Sequence, residues 1–329
     1  MQNSKRLIIV LGVRRSGTSA ITKGLETMGV SIIESAKTPF NSFNEKGYWE
    51  DLEIHDFNMQ LIGALEPVEN RWRSIVPLTE KEVDFLCERG FLKQGADLLL
   101  SKLSMGSQPL GLKDPRFSIL LPFWKRVFKT CNLAVSFIIS LRHPFSTVAS
   151  MKAFASACEP INNHHAKFSW AWNSFFGKCL KYTAGEKRII VDYDEFLAQP
   201  AFQIKRIASA LNLQVQEDLL KKYSTDFIDP ALCHFNIHEI SKDSLSYDQK
   251  LALEIYEQLL LVAHDQASWS QLESFFEKWN ASVAAVEPLL TMVEKNEQTI
   301  LLLQAALLVY RGKIDKKLGV RLQISNFVQ

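Results

Sequence analysis

A glycine-containing loop near the amino terminus is the first stretch whose residue types and spacing suggest chemistry. From Gly12 the sequence reads GVRRSGTS, which matches the phosphate-binding pattern G-x-x-x-x-G-K-[ST] except that Thr18 stands in the lysine position. Such a loop presents backbone N–H groups and the positive end of a helix dipole to an anion. Arg14 and Arg15 precede Ser16, and guanidinium groups can contact an oxyanion through two hydrogen bonds. We therefore expect a phosphate-like group that is bound without magnesium.

A second set of anion-binding residues follows the most apolar segment of the chain. Residues 133–141 read LAVSFIISL, which is typical of a buried strand, and Arg142 stands at its carboxyl end. Ser150 lies eight residues further on, in a helix predicted to begin after Pro144. Because open α/β sheets bind ligands beyond the carboxyl ends of their strands, Arg142 is expected to face the same crevice as the glycine loop. Two anion sites suit a nucleotide that carries phosphates on separate arms.

Strand and helix patterns alternate along the chain and predict the elements that position these residues. The segments 6–12 and 133–141 are apolar nearly throughout, 187–193 has the apolar centre IIV, and helical patterns separate the three. This order predicts an α/β fold, a parallel sheet flanked by helices as in P-loop NTPases. The glycine loop then joins the first strand to a helix over 18–28, the context in which the motif has meaning.

The pattern of apolar residues changes after about residue 245, where helical periodicity replaces strand signals. We divide the chain into an α/β domain over 1–245 and an α-helical carboxyl-terminal extension over 246–329. The apolar faces of the extension, above all in 289–310, offer a surface for homodimer formation, although packing against the parent domain is the simpler interpretation.

Five segments in order resemble the sulfotransferases that use 3′-phosphoadenosine 5′-phosphosulfate (PAPS). Arg15 to Ser19 match the R-S-G-T-[ST] loop that binds the 5′-phosphosulfate in that family, and Arg142 with Ser150 match the pair that binds the 3′-phosphate. The segments NSFNEKGYWED, GLKDPRFSILLPFW and VDYDEFLAQPAFQIKRIASALNL are similar to family segments, the first two to those of bacterial and tyrosylprotein-type members. The resemblance covers residues 6–215. It implies transfer of a sulfuryl group from PAPS to an acceptor hydroxyl, with no metal.

The loop and the strand end together supply the residues expected to bind the co-substrate. These are Arg14, Arg15, Ser16, Gly17, Thr18, Ser19, Arg142 and Ser150. Arg15 is also expected to stabilise the negative charge that develops on the leaving group, and it stays charged, so it acts electrostatically. Lys113 follows the third predicted strand and is expected to contact the phosphosulfate or the acceptor. Asp114 and Arg116 beside it are equally well explained as a structural ion pair.

The acceptor hydroxyl needs a general base, which the resemblance assigns to a glutamate beyond the first helix. Glu50 in the GYWED segment is our choice. The loop cannot be aligned from one sequence, so four other residues stay open: Glu34, Glu45, Asp51 and His55.

Two other functions compete with sulfuryl transfer. A P-loop kinase or NTPase finds support in residues 189–192, which resemble a Walker B strand ending in Asp192. A non-catalytic nucleotide-binding module is the second alternative. Magnesium dependence separates the kinase from the sulfotransferase, and tight binding of 3′,5′-ADP weighs against the module.

The net charge and composition of the chain limit the kinds of partner that it is expected to bind. The net charge is +2, so the surface as a whole does not indicate nucleic-acid binding, and no stretch is long and apolar enough to predict a membrane span. The five cysteines have no metal-ligand spacing, and the aromatic residues of 168–176 fit a helix face in the core. We expect a cytoplasmic, bacterial enzyme that acts on a small-molecule donor and a hydroxyl acceptor, with a carbohydrate or glycolipid as the favoured acceptor.

Overall fold

The chain folds around a five-stranded parallel sheet. The computed structural model describes residues 5–33, 44–65, 78–105, 109–158, 165–233, 235, 237, 245–277, 280, 292 and 296. Within them the strand order is β2-β3-β1-β4-β5, and every strand is parallel to its neighbours. The strands are β1 (Arg6–Gly12), β2 (Ser31–Ile32), β3 (Leu110–Lys113), β4 (Ala134–Leu141) and β5 (Lys187–Asp192).

Helices connect the strands and cover both faces of the sheet. In chain order they are α1 (Thr18–Gly24), α2 (Leu52–Leu65), α3 (Glu80–Glu88), α4 (Phe91–Met105), α5 (Phe117–Thr130), α6 (Pro144–Cys158), α7 (His165–Thr183), α8 (Tyr193–Ala198), α9 (Pro200–Leu211), α10 (Glu217–Lys222), α11 (Tyr247–Ala263) and α12 (269–277). A 3-10 turn over Leu25–Met28 continues α1, and a π-helical turn over Tyr223–Phe227 continues α10. None of the helices in the described ranges is long and apolar enough to cross a bilayer.

Two hydrophobic clusters explain why the strands are mainly apolar. Alternate residues of β1 point to opposite faces: Leu7 and Ile9 join one cluster, whereas Ile8 and Val10 join the other. The first cluster packs α2, α3, α4, α5, α7 and α11 on the sheet, and the second packs α1, α9 and α10. A parallel sheet buried on both faces favours apolar side chains in both orientations, and the predicted α/β fold class is confirmed.

Two helices follow one another closely before β3. α3 ends at Glu88 and α4 begins at Phe91. Gly90 between them has a φ of 86°, a left-handed conformation that interrupts helical hydrogen bonding and suits glycine.

The described part of the carboxyl-terminal region packs directly on the sheet domain. Ile255 and Leu259 of α11 and Phe276 of α12 belong to the same cluster as β1 and α7. The buried residues Trp172, Phe175 and Phe176 of α7 belong to it too, as the aromatic helix face predicted, while Phe168 and Trp170 are half-buried. The dimerisation surface predicted over 289–310 lies outside the described residues, apart from 292 and 296. The division of the chain at residue 245 stays a prediction.

Candidate functional site

The predicted site lies at the carboxyl edge of the sheet, where the connections from neighbouring strands diverge. The helix that follows β1, α1, packs on one face of the sheet, and the helix that follows β3, α5, packs on the other. Such a divergence opens a crevice beyond the strand ends. Lys113 ends β3 on one side of the glycine loop, and Arg142 follows β4 on the other. The fold therefore places the loop between the two cationic residues that the sequence singled out.

The glycine loop is held by its own backbone conformation and by short hydrogen bonds. Arg15 and Gly17 both have left-handed backbones, with φ of 71° and 86°. The Ser16 hydroxyl donates to the Val13 carbonyl at 2.7 Å, and the Ser140 hydroxyl of β4 donates to the Ser16 carbonyl at 2.5 Å. One serine hydroxyl thus holds the loop from within, and the other holds it against β4.

Arg142 at the end of β4 and Ser150 in α6, which are predicted to bind one phosphate, both contact a loop arginine. The Arg15 Nε donates to the Ser150 hydroxyl at 3.1 Å, and an Arg142 NH group donates to the Arg15 carbonyl at 2.8 Å. Burial lowers the pKa of Arg15, and the nearby charge of Arg142 lowers it further, whereas Tyr48 and Tyr193 act in the opposite direction. Two guanidinium groups close together in a partly buried position repel one another, and an anion between them would relieve that repulsion.

Arg142 retains a donor that the described residues do not satisfy. Its terminal nitrogens donate to the Arg15 carbonyl, to the Phe235 carbonyl at 2.5 Å and to the Cys233 sulfur at 3.2 Å. Its Nε is buried and has no hydrogen-bond partner among the described residues. Leaving a buried charged donor unpaired costs free energy, so this N–H is suited to donate a hydrogen bond to an anionic ligand.

On the other side of the loop, Lys113 and Glu50 form a buried ion pair. The Lys113 Nζ donates to Glu50 Oε1 at 2.7 Å, and the side chains are 3% and 11% exposed. Two residues predicted for separate catalytic tasks, 63 positions apart in sequence, are therefore in direct contact. The pair places a carboxylate and an ammonium group together at the end of β3.

The structure also separates Glu50 from its rivals. Asp51 accepts from the backbone N–H groups of Glu53 and Ile54 at the start of α2, and Lys102 forms an ion pair with it at 2.8 Å. His55 contacts Asp56 and Arg116. Glu45 is exposed, and Glu34 lies outside the described residues. Of these candidates, Glu50 is the residue in contact with another predicted site residue.

Asp114 and Arg116 form the structural ion pair that was one of the two interpretations. Arg116 NH1 lies 3.2 and 3.0 Å from the two Asp114 carboxylate oxygens, and its backbone N–H donates to the same carboxylate at 2.7 Å. Burial raises the pKa of Asp114, and Arg116 opposes that effect. The pair holds the turn from β3 into α5 and thereby supports Lys113.

The remaining predicted loop residues have varied surroundings. Arg14 is half-buried, and Thr18 is buried with its methyl group against Gly12. The Ser19 hydroxyl donates to the Tyr48 carbonyl at 3.2 Å and accepts from the Asn44 amide at 3.3 Å. Ser19 thus ties the segment that carries Glu50 to the first turn of α1. Whether these three residues also contact the co-substrate stays a prediction.

Sequence reasoning did not single out Tyr193, the residue directly after β5. Its ring lies over Gly17, so close that a Cβ at Gly17 would be 2.0 Å from Tyr193 Cδ2. The Arg142 guanidinium carbon lies 5.4 Å from the centre of the same ring, and burial raises the pKa of Tyr193 to about 12. Its position at a strand end, like that of Arg142, was the signal that could have indicated it.

Asp192, the residue that supported the kinase interpretation, is engaged elsewhere. One carboxylate oxygen accepts from the Asp194 N–H at 3.0 Å and caps α8, and the other lies 3.1 Å from His264 Nε2. β5 is also separated from β1 by β4. The carboxylate therefore joins β5 to α8 and α11.

Comparison with known proteins finds similarity of fold. No protein-family model and no curated protein matches the sequence. The sulfotransferase domain of the Synechococcus PCC 7002 olefin synthase is 17% identical, with a TM-score of 0.45 over 77% of this chain and 95% of that domain. The sulfotransferase domain from the curacin biosynthetic pathway is 14% identical, with a TM-score of 0.44 over 76% and 97%.

Two further solved structures are similar at the same identity. Sulfotransferase STF9 from Mycobacterium avium is 14% identical, with a TM-score of 0.42 over 85% of this chain and 77% of that one. A sugar kinase from Janibacter sp. HTCC2649 is 14% identical, with a TM-score of 0.32 over 69% and 98%. Because identities are this low and every TM-score quoted is below 0.5, function has to be argued from the site residues themselves.

Proposed function

We propose that the chain is a sulfotransferase that moves a sulfuryl group from PAPS to the hydroxyl of an acceptor. The observation that carries the proposal is the contact of Arg15, Ser150 and Arg142 beside the glycine loop. Three residues from separate elements converge there, and the buried Arg142 Nε lacks a partner among the described residues. A phosphate group on the nucleotide ribose supplies the oxygens that such donors require.

The glycine loop and Lys113 serve the reacting end of the donor. Loop N–H groups and the α1 terminus suit the 5′-phosphosulfate. In the transfer, the acceptor oxygen forms a bond to sulfur, the bond from sulfur to the bridging phosphate oxygen breaks, and 3′,5′-ADP leaves. Negative charge grows on the bridging oxygen, and the cations Arg15 and Lys113 stabilise it. The Arg15 bond to Ser150 also links the two arms of the donor site.

Glu50 is proposed to accept the proton of the acceptor hydroxyl. It is held against Lys113 at 2.7 Å and borders the crevice from the side opposite Arg142. The ammonium group keeps the carboxylate oriented. The proposed acceptor, a carbohydrate or glycolipid, rests on the likeness of NSFNEKGYWED to bacterial sulfotransferases.

The kinase alternative has less support from the site residues. A P-loop kinase uses the loop lysine on the terminal phosphates and a Walker B aspartate on magnesium. Thr18 replaces that lysine, and the carboxylate of Asp192 caps a helix and contacts His264.

Nucleotide binding by the full chain tests the proposal. In the presence of EDTA, calorimetric titration should find 3′,5′-ADP bound much more tightly than 5′-AMP. Arg142→Ala should weaken 3′,5′-ADP at least tenfold, because a charged hydrogen bond contributes about 1.5–3 kcal/mol, and should affect 5′-AMP little. Transfer of label from PAPS to fractionated acceptors should also persist in EDTA.

Arg126→Ala is the matched control, since the Arg126 side chain is half-buried on α5 and pairs with Glu80 and Asp84. This variant should bind both nucleotides like the parent chain. An equal loss of both nucleotides on Arg142→Ala would contradict the assignment of the 3′-phosphate, and magnesium-dependent turnover of ATP would favour the kinase.

A further inference from the structure

Two residues in the described part of the chain have a backbone conformation that their side chains disfavour. Five non-glycine residues there have left-handed φ, and three of them, Asn132, Asn212 and Asp265, are of the types that tolerate it. The others are Arg15, with a φ of 71°, and Trp49, with a φ of 56°. For a bulky residue this conformation is a strain that persists where the surroundings impose it. Arg15 lies in the glycine loop, and Trp49 directly precedes Glu50.

Three contacts of its ring anchor Trp49 in this conformation. Its indole N–H donates to the Lys46 carbonyl at 2.8 Å. The Lys23 Nζ lies 4.2 Å from the centre of its ring, and the edge of Phe227 packs at a centroid distance of 6.0 Å. Lys46 in turn donates to the Phe227 carbonyl. The ring is thus fixed between the loop, α1 and the turn that follows α10.

The left-handed residue determines where the next side chain points. A left-handed residue turns the chain, so its backbone sets the direction in which the next residue leaves it. Here the Trp49 ring packs toward α1, while the Glu50 carboxylate reaches Lys113 at the end of β3. The Ser19 bond to the Tyr48 carbonyl fixes the same segment to α1 from the preceding residue.

We propose that Trp49 is a positioning residue, whose left-handed backbone and anchored ring hold the Glu50 carboxylate against Lys113. The catalytic role of Glu50 in this inference rests on the proposed function. The dependence of the Glu50–Lys113 contact on the Trp49 backbone does not, and it can be tested without any activity.

Two substitutions of Trp49 that both remove the ring but differ in their backbone preference test the proposal through the turnover number. Trp49→Gly and Trp49→Val both remove the ring, but valine is β-branched and resists the left-handed conformation that glycine adopts freely. We expect the valine variant to have a kcat about tenfold below that of the glycine variant, because a left-handed L-residue costs about 1–2 kcal/mol. The KM for PAPS and the affinity for 3′,5′-ADP should be the same in both. Trp49→Ala replaces the valine variant if valine prevents folding, and Glu50→Gln gives the turnover expected when the base is lost.

Thermal unfolding of a double-mutant cycle tests the contact without activity. Lys113→Met leaves Glu50 buried without its partner, which should lower the Tm of the parent chain strongly. In the Trp49→Val background the carboxylate is no longer held there, so the same change should lower the Tm much less. Additive Tm shifts, or equal kcat in the glycine and valine variants, would overturn the proposal. If the parent chain transfers no sulfuryl group, the proposed function fails, and the cycle alone decides the role of Trp49.

Discussion

At the scale of single residues, Gly17 is the position at which the site tolerates least change. Its φ of 86° disfavours any other residue, and the Tyr193 ring occupies the space that a Cβ would need. The glycine therefore does two things: it lets the loop turn into α1, and it lets Tyr193 cover the loop beside Arg142. Phosphate loops need glycine for their backbone, but here the covering ring imposes a second requirement.

Gly17→Ala should destabilise the fold by about 2–5 kcal/mol. About 1–2 kcal/mol comes from the left-handed backbone and about 1–3 kcal/mol from the clash with Tyr193. Gly185→Ala is the matched control, since Gly185 also has a left-handed φ, 77°, but nothing within 4 Å of an added Cβ. Urea unfolding of both variants separates the two costs. In a Tyr193→Ala background the Gly17 change should cost no more than the Gly185 change, and an unchanged cost there would refute the clash.

The sequence predicted which residues gather at the site better than it predicted how they pair. Arg15 was expected at the leaving group and Lys113 at the phosphosulfate or the acceptor, whereas in the structure Arg15 bonds Ser150 and Lys113 bonds Glu50. The backbone is left-handed at Arg15 and at Trp49, the residue before Glu50, and such a residue changes the direction in which the chain continues. No periodicity or propensity encodes such a conformation at an arginine or a tryptophan.

At the scale of elements, the junction of β5, α8 and α11 is held by one buried carboxylate. Asp192 caps α8 through one oxygen and contacts His264, at the end of α11, through the other. Burial raises the pKa of Asp192, and its hydrogen bonds to Asp194 and His264 only partly oppose this. Strand β5 was predictable from its β-branched centre IIV, but α8, with 6 residues, was too short to have a periodic pattern.

Asp192→Asn should become more stable relative to the parent chain as the pH rises from about 4. A carboxyl whose pKa is raised by folding binds its proton more tightly in the folded chain than in the unfolded chain, where its pKa is about 3.9. The stability that this proton binding contributes is therefore lost when the carboxyl is deprotonated. Asparagine keeps a capping oxygen and does not titrate. Urea unfolding at several pH values gives the difference in free energy of unfolding.

Asp265→Asn provides a control of opposite sign. Hydrogen bonding to Arg206 lowers the pKa of Asp265, so its contribution is present above the unfolded pKa and lost as the pH falls through the folded one. This variant should therefore lose stability relative to the parent as the pH rises toward about 4 and stay constant above it. Parallel pH curves for the parent and Asp192→Asn would show that Asp192 titrates in the folded chain as it does in the unfolded one.

At the scale of the whole molecule, α11 belongs to the same core as the sheet. Ile255 and Leu259 are fully buried in the cluster that contains β1 and α7, and Tyr256 packs on His143, next to Arg142. The sequence predicted a domain boundary near residue 245 because the segments after it have helical periodicity and few strand patterns. A change from mixed to helical composition, however, does not separate cores, since packing across the change is a matter of tertiary contact.

Leu259→Ala should accordingly destabilise the whole chain by about 2–5 kcal/mol, the usual cost of a large cavity in a core. Leu261→Ala in the same helix is the control, because Leu261 is 38% exposed and its loss should cost less than about 0.5 kcal/mol. Urea unfolding followed by both tryptophan fluorescence and far-ultraviolet circular dichroism should give one transition, shifted equally in both signals by Leu259→Ala. If α11 formed a separate unit, the two signals would divide into two transitions, and the variant would move only one of them.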